Sequence, residues 1–246
     1  MNLKRFFIFC FIIFLLSLIS VYYPNLTGDS LLKNPEEFKI ENASVIKIID
    51  GDTIETDKGV IRLLGINTPE KNKPYYQEAK DFLCLLENKT IQILRDFEDT
   101  DKYQRKLRYI FYKNEFINAK ILEKGLGTSF MVGSLRYEKK LRKAEDYAKN
   151  NQNILWKESQ NICKECIKLQ ELNFEQEFFI IKNKCNFKCS LEGWFVKDDA
   201  NHFFKLKNLG ANQIQNYSSK QNIWNNAGDR FFMRDEKGEL VIFYEY

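Results

Sequence analysis

The sequence predicts a mainly β protein with helices added: a five-stranded barrel of the OB type with three helices, then a small all-β sandwich, behind an N-terminal membrane span. Three observations carry this. Short runs of alternating apolar and polar residues, bounded by Gly, Asp and Asn turns, recur from residue 43 onward. Three stretches of helical spacing accompany the first five runs and none accompanies the later ones. An uncharged apolar run over residues 6–23 follows Lys4 and Arg5, close to the length that crosses a bilayer.

Each element follows in order. Positive charge ahead of the apolar run puts that end in the cytoplasm and the rest of the chain outside. No small-residue cleavage site follows, so residues 1–24 read as an uncleaved anchor, with a cleaved, secreted form as the alternative. Residues 25–40 are polar, carry Gly28 and Pro35, and read as a tether. SVIKIID, a GDT turn, TIET, a DKG turn and VIRLLGI form a three-stranded meander, and residues 77–86 form a helix. TIQILRD and RKLRYIFY are two more strands, with EDTDKYQ as their loop. Residues 116–124, ended by Gly125, and residues 137–150 complete a barrel domain over 41–158. Residues 159–176 are a linker with two cysteines. Within 177–246, EFFIIKN, GWFVKD, HFFKLK and LVIFYEY are strands of a sandwich.

Composition excludes little. With 246 residues, 44% hydrophobic and 29% charged, the chain has an ordinary globular make-up and length for one large or two small domains. Its net charge is only +4, but residues 41–158 hold 22 Lys+Arg against 19 Asp+Glu while residues 167–246 hold 11 of each, so the excess belongs to the first half. The single histidine, His202, lies in the second half and reads as structural, which excludes the common His-based nucleases and zinc hydrolases.

The chemistry concentrates in residues 48–70, IIDGDTIETDKGVIRLLGINTPE. Asp50-Gly51-Asp52-Thr53 ends one apolar run, Arg62 sits in the next, and Thr68-Pro69-Glu70 closes it. Hard oxygen ligands beside a fixed cation and a carboxylate are what metal-assisted attack on a phosphodiester requires. This pattern, with Asp101-Lys102-Tyr103-Gln104-Arg105 and the later KGLGTSF and YEKKLRKAEDYAKNNQNILW, resembles the staphylococcal-type thermonuclease family over residues 44–156. The resemblance implies a calcium-dependent endonuclease acting on DNA and RNA and leaving 3′-phosphoryl ends. It implies Asp52 and the Thr68 carbonyl as Ca2+ ligands, with Asn67 where the family carries an aspartate ligand. It gives Glu70 the attacking water, Arg62 and Arg105 the scissile phosphate, and Lys102 and Tyr103 a neighbouring phosphate. Asn67 removes a negative charge and so lowers metal affinity or changes the preferred ion. Phe130, where the family has a tyrosine near the nucleotide, reads as a base-stacking or a core residue. Two other functions stand beside this one: a non-catalytic nucleic-acid-binding barrel, against which the presence of Arg62, Glu70 and Arg105 counts, and a surface adhesion protein using the sandwich.

Cys163-x-x-Cys166 and Cys185-x-x-x-Cys189 read as disulfides outside the membrane or as a tetrahedral zinc set, the pairing being open. Cys84 falls on the apolar face of the first helix and reads as unpaired. Residues 177–246 resemble a lamin-tail domain through EFFIIKNKCN, LEGWFVKDDANHFFKL and IWNNAGDRFFMRDEKGELVIFYEY. That resemblance implies an immunoglobulin-like sandwich with Trp194 and Trp224 in its core.

Overall fold

A computed structural model describes residues 39–226 and 228–246. The expected membrane span and most of the tether lie outside the described residues. Among the described residues no helix is long and apolar enough to cross a membrane, and Ile40–Tyr246 form one compact unit.

Five strands close a barrel. β1 (Ile40–Ile48) pairs antiparallel with β2 (Thr53–Thr56) and with β5 (Thr90–Thr100), β2 pairs with β3 (Gly59–Leu63), and β5 pairs with β6 (Lys106–Tyr112). The parallel pairing of β3 with β6 joins the two ends, so neither is left as an open edge. Alternation decides which side chains face in: Val45, Ile48, Ile54, Ile61, Leu63, Ile91, Ile93 and Ile110 are all buried. Each contributes roughly 1.5–3 kcal/mol relative to exposure. The β5–β6 ladder runs on to Thr100, opposite Lys106, so the loop expected from residue 98 starts only at residue 101.

Short strands place the functional segments. β4 (Ile66–Asn67) pairs with β8 (Thr128–Ser129), while β7 (Glu115–Phe116) extends the sheet beyond β6. Three α-helices lie among the described residues: α1 (Tyr76–Cys84), α2 (Ile117–Glu123) and α3 (Glu138–Asn150). α1 buries Ala79 and Leu83, and its Cys84 is free and exposed, not on the buried face. The inward face follows Ala79, Leu83 and Leu86 at spacings of four and three, which leaves position 84 off it.

The C-terminal half consists of two sheets around one core. The first is β9 (Ile167–Asn173), β10 (Phe178–Asn183) and β13 (Ile214–Ser218); the second is β11 (Phe195–Lys197), β12 (Phe203–Lys205), β14 (Arg230–Arg234) and β15 (Leu240–Glu245). Phe179, Trp194, Trp224, Phe231 and Met233 fill the space between them. β9 and β13 flank β10 as edge strands; β13, IQNYS, is largely exposed and carries little apolar signal, whereas β9 packs Ile167, Leu169 and Leu172 on the core but lies in what reads as linker.

Cys163 pairs with Cys189 and Cys166 with Cys185, at sequence separations of 26 and 19. With all four sulfurs paired, none is free as a thiolate ligand. The bonds fasten the chain before β9 to the segment after β10. In the chain-entropy account, one such loop stabilises by about 3 kcal/mol. Reduction is therefore expected to lower the melting temperature by several degrees, and mass spectrometry of the oxidised protein to find both bonds; an unchanged melting temperature would contradict this.

Candidate active site

The residues from Asp50 to Glu70 converge because the β2–β3 hairpin and β4 bring the D-G-D turn against Thr68. The turn is closed by the amides of Ile49 and Asp50 donating to the Thr53 carbonyl, at 3.0 and 3.2 Å, and by the Asp52 amide donating to Asp50 Oδ1 at 3.2 Å. Gly51 is required by close approach. A Cβ there would stand 2.7 Å from both the Ala79 Cβ and Thr68 Oγ1.

Asp52 is 8% exposed and its carboxylate is held on both oxygens. Thr53 Oγ1 donates to Oδ1 at 3.0 Å, while the Thr68 amide and hydroxyl donate to Oδ2 at 3.1 and 3.2 Å. Arg62 Nη2 lies 3.1 Å from the same Oδ2 and also donates to Asn67 Oδ1 and, at 2.7 Å, to the Ile66 carbonyl. One guanidinium thus ties together the two side chains that the sequence reading assigns to a metal.

Beside them, burial first and then the adjacent Asp52 carboxylate push the Asp50 carboxyl up to about 6. Asp50 is the oxygen donor the sequence reading passed over, although its place in the D-G-D turn was visible. Asp50, Asp52, Asn67 and Thr68 line one cleft and offer only oxygen donors, the kind a hard divalent ion such as Ca2+ takes. Arg62 engages Asp52 Oδ2 and Asn67 Oδ1, and among the described residues no three acidic, His or Cys side chains gather into a metal cluster.

The remaining residues line one cleft of about 1110 Å³, whose walls include Asp50, Asp52, Arg62, Asn67, Thr68, Glu70, Lys102, Tyr103, Arg105 and Phe130. Arg105 is aimed by Asp101, which accepts from its Nε and Nη2 at 2.7 Å, and its Nη1 is 3.4 Å from Thr53 Oγ1. Although burial works the other way, bonds from the Arg105 amide and guanidinium and from the Tyr103 amide hold the Asp101 carboxyl below its usual range. Lys102 and Arg105 flank the exposed Tyr103 ring at 5.1 and 5.4 Å. Gln104 takes a φ of 64°, the left-handed region that favours glycine, which makes it a costlier member of this loop than a plain polar residue.

The C-terminal half supplies the rest of the wall, which the sequence reading did not anticipate. Ala200, Asn201 and His202, in the loop between β11 and β12, line the same cleft. His202 is therefore at the site; its Nδ1 lies 2.6 Å from Oδ2 of the fully buried Asp198. Asn67 Nδ2 donates to the Asp199 carbonyl at 2.7 Å, and Asn201 Nδ2 donates to Glu70 Oε1 at 3.0 Å.

A buried ion triad holds this loop to the barrel. Arg230, 4% exposed, places Nη1 2.9 Å from both oxygens of Glu145 in α3, and its Nε and Nη2 lie 2.6 to 2.9 Å from the Asp199 carboxylate. Glu145 also accepts from the Ser129 amide and hydroxyl at 2.8 and 2.6 Å. Burial pushes the Glu145 carboxyl up, but the Arg230 guanidinium outweighs it with help from Lys149 and Ser129, and the carboxyl stays below its usual range. No local signal marks these contacts in the sequence, since the partners are 16 to 85 residues apart.

The barrel half is similar to known proteins. A family model described as staphylococcal nuclease homologue matches residues 60–158. The thermonuclease of Staphylococcus hyicus is 32% identical over 124 residues, covering 46% of this chain and 73% of that protein. The thermonuclease of Staphylococcus intermedius is 29% identical over 158 residues, 59% of this chain and 94% of that protein. Endonuclease YncB of Bacillus subtilis is 30% identical over 135 residues, 49% of this chain and 64% of that protein.

Gly51→Ala is expected to force the D-G-D turn away from Thr68 and α1, costing about 1–3 kcal/mol in urea denaturation. Wild-type stability in that variant would mean that the turn is looser than drawn.

Proposed function

Because the chain belongs to the staphylococcal nuclease family, we propose that it is a metal-dependent endonuclease that hydrolyses phosphodiester bonds of DNA and RNA and leaves 3′-phosphoryl ends. The observation that carries this reading is the convergence on one cleft of an acidic oxygen cluster, two arginines and a carboxylate, all from the barrel half.

Each residue's chemistry supports a role. Arg62 and Arg105 present planar donor forks that suit phosphate oxygens and stay charged as negative charge grows in the transition state. Glu70 is exposed to the cleft and acts on the attacking water as general base. Lys102 and Tyr103, both exposed, meet a neighbouring phosphate and ribose or base without reading sequence. Asp52, with Asp50 and Asn67 and the Thr68 carbonyl, would hold Ca2+, which when bound polarises the phosphoryl oxygen as a Lewis acid. Phe130 in the cleft wall offers a surface on which a base stacks.

The location is part of the same proposal. An extracytoplasmic protein, held by residues 1–24 or released by their cleavage, accords with two disulfides in the C-terminal half. That half, on its motifs, is a lamin-tail-like, immunoglobulin-like domain that follows a nuclease domain over 41–158; its first strand, β9, takes up part of the stretch 159–176 that reads as a linker, ahead of residues 177–246. The competing reading of a non-catalytic binding barrel is disfavoured by the retention of Arg62, Glu70 and Arg105 in one cleft.

Glu70→Gln and Arg62→Ala are each expected to reduce plasmid cleavage by about 10²-fold or more, the scale of losing one charge that serves the transition state. Chelation of divalent ions is expected to abolish cleavage by the wild-type protein. Full activity of either variant, with circular dichroism unchanged, would move the chemistry elsewhere; full activity in chelator would exclude the metal.

A further inference from the structure

The β11–β12 loop is locked by more bonds than a surface loop requires. The buried Asp198 carboxylate accepts from the His202 amide at 2.7 Å as well as meeting its ring, and the Asp199 amide donates to Asp229 Oδ1 at 3.1 Å. Asn201, between them, takes a φ of 65°, the left-handed conformation that asparagine tolerates better than most residues. The loop is thus built around a side chain it presents to the barrel.

The orientation of that side chain is decided by its other neighbour. Lys197 Nζ, buried at the end of β11, lies 2.9 Å from Asn201 Oδ1 and 3.0 Å from the Asp198 carbonyl. An ammonium only donates, so the amide oxygen must face Lys197 and the NH2 group must face the barrel. Burial, then Arg234, draws the Lys197 ammonium down to about 8. The NH2 group meets Glu70 Oε1 at 3.0 Å and the Thr68 carbonyl at 3.4 Å. A single amide therefore transmits the position of a buried lysine to an otherwise solvent-exposed carboxylate.

We propose that Asn201 of the C-terminal half is a positioning residue for hydrolysis: it holds the Glu70 carboxylate in the orientation from which it activates water. The proposal rests on the reading of Glu70 as general base. An exposed glutamate samples several rotamers, and a donor fixed from behind selects one of them before substrate arrives. The C-terminal half is then part of the active site, not only a tether or a binding module.

The test measures kcat and KM of the full-length chain on a defined oligonucleotide. Asn201→Gly removes the side chain and keeps the left-handed backbone. Asn201→Asp keeps the shape and the Lys197 partner but turns a carboxylate oxygen toward Glu70. Both variants are expected to lose about ten- to hundredfold in kcat, the usual scale for losing a group that orients a reactive one, with KM changed less than about twofold. In a Glu70→Asp background, where the shorter carboxylate no longer reaches the amide, Asn201→Gly is expected to cost less than about threefold further, as neighbours in one network do not add. Wild-type kcat in either single variant, a rise in kcat, or the same loss in the Glu70→Asp background would overturn the inference. If Glu70→Gln itself keeps full activity, the base reading fails and the inference falls with it, whereas an inactive Glu70→Gln with a fully active Asn201→Gly refutes the inference alone.

Discussion

Arg230, buried together with Glu145 of α3, bridges that carboxylate to the partly exposed Asp199 carboxylate of the β11–β12 loop, and this bridge ties the loop to the barrel side of the cleft. An arginine 4% exposed cannot lose its charge at any ordinary pH, so its two carboxylates are held where its planar fork puts them. Removing the arginine leaves the buried Glu145 carboxylate without its main countercharge, at about 3–5 kcal/mol. Because Glu145 also binds Ser129 in β8, and β8 pairs with β4, the bridge fixes Asn67 and its neighbours from one side while the loop approaches them from the other.

This arrangement gives Asn67 a physical account. As a carboxylate it would add charge to a metal site; as an amide it accepts from Arg62 and donates to the Asp199 carbonyl, two opposite demands that only an amide meets. The position trades one unit of ligand charge for a bond to the C-terminal half. Asp50 stands beside Asp52 in the same turn, and burial with that neighbouring carboxylate pushes its own carboxyl up.

Much of this was legible in the sequence, for identifiable reasons. The barrel strands and three helices could be read because apolar spacing and Gly, Asp and Pro punctuation repeat locally, and the Asp52–Glu70 cluster because it is compact along the chain. β13 could not, since an edge strand that buries little carries no alternation. Nor could β9, whose brief alternation sits in a cysteine-bearing stretch that reads as linker, nor β14, which is buried along its whole length and so does not alternate. Asn201, Asp199 and Arg230 could not either: asparagine and aspartate in a loop look like turn chemistry, and an arginine inside R-F-F-M-R looks like a strand end. What those residues do is set by partners 31 to 132 positions away. His202, read as structural, shows the same limit from the other direction, because its burial partner is four residues away but its place at the cleft is decided by the packing of two halves.

The most direct test of this coupling is hydrogen–deuterium exchange by mass spectrometry on wild-type protein and Arg230→Met, under conditions where both remain folded. If the buried bridge sets the cleft, peptides covering residues 198–202 and those covering residues 66–70 gain exchange together, while the β1–β2 hairpin stays protected. Faster exchange in 198–202 with residues 66–70 unchanged would contradict it, and the segment 66–70 would then hold its geometry without the C-terminal half.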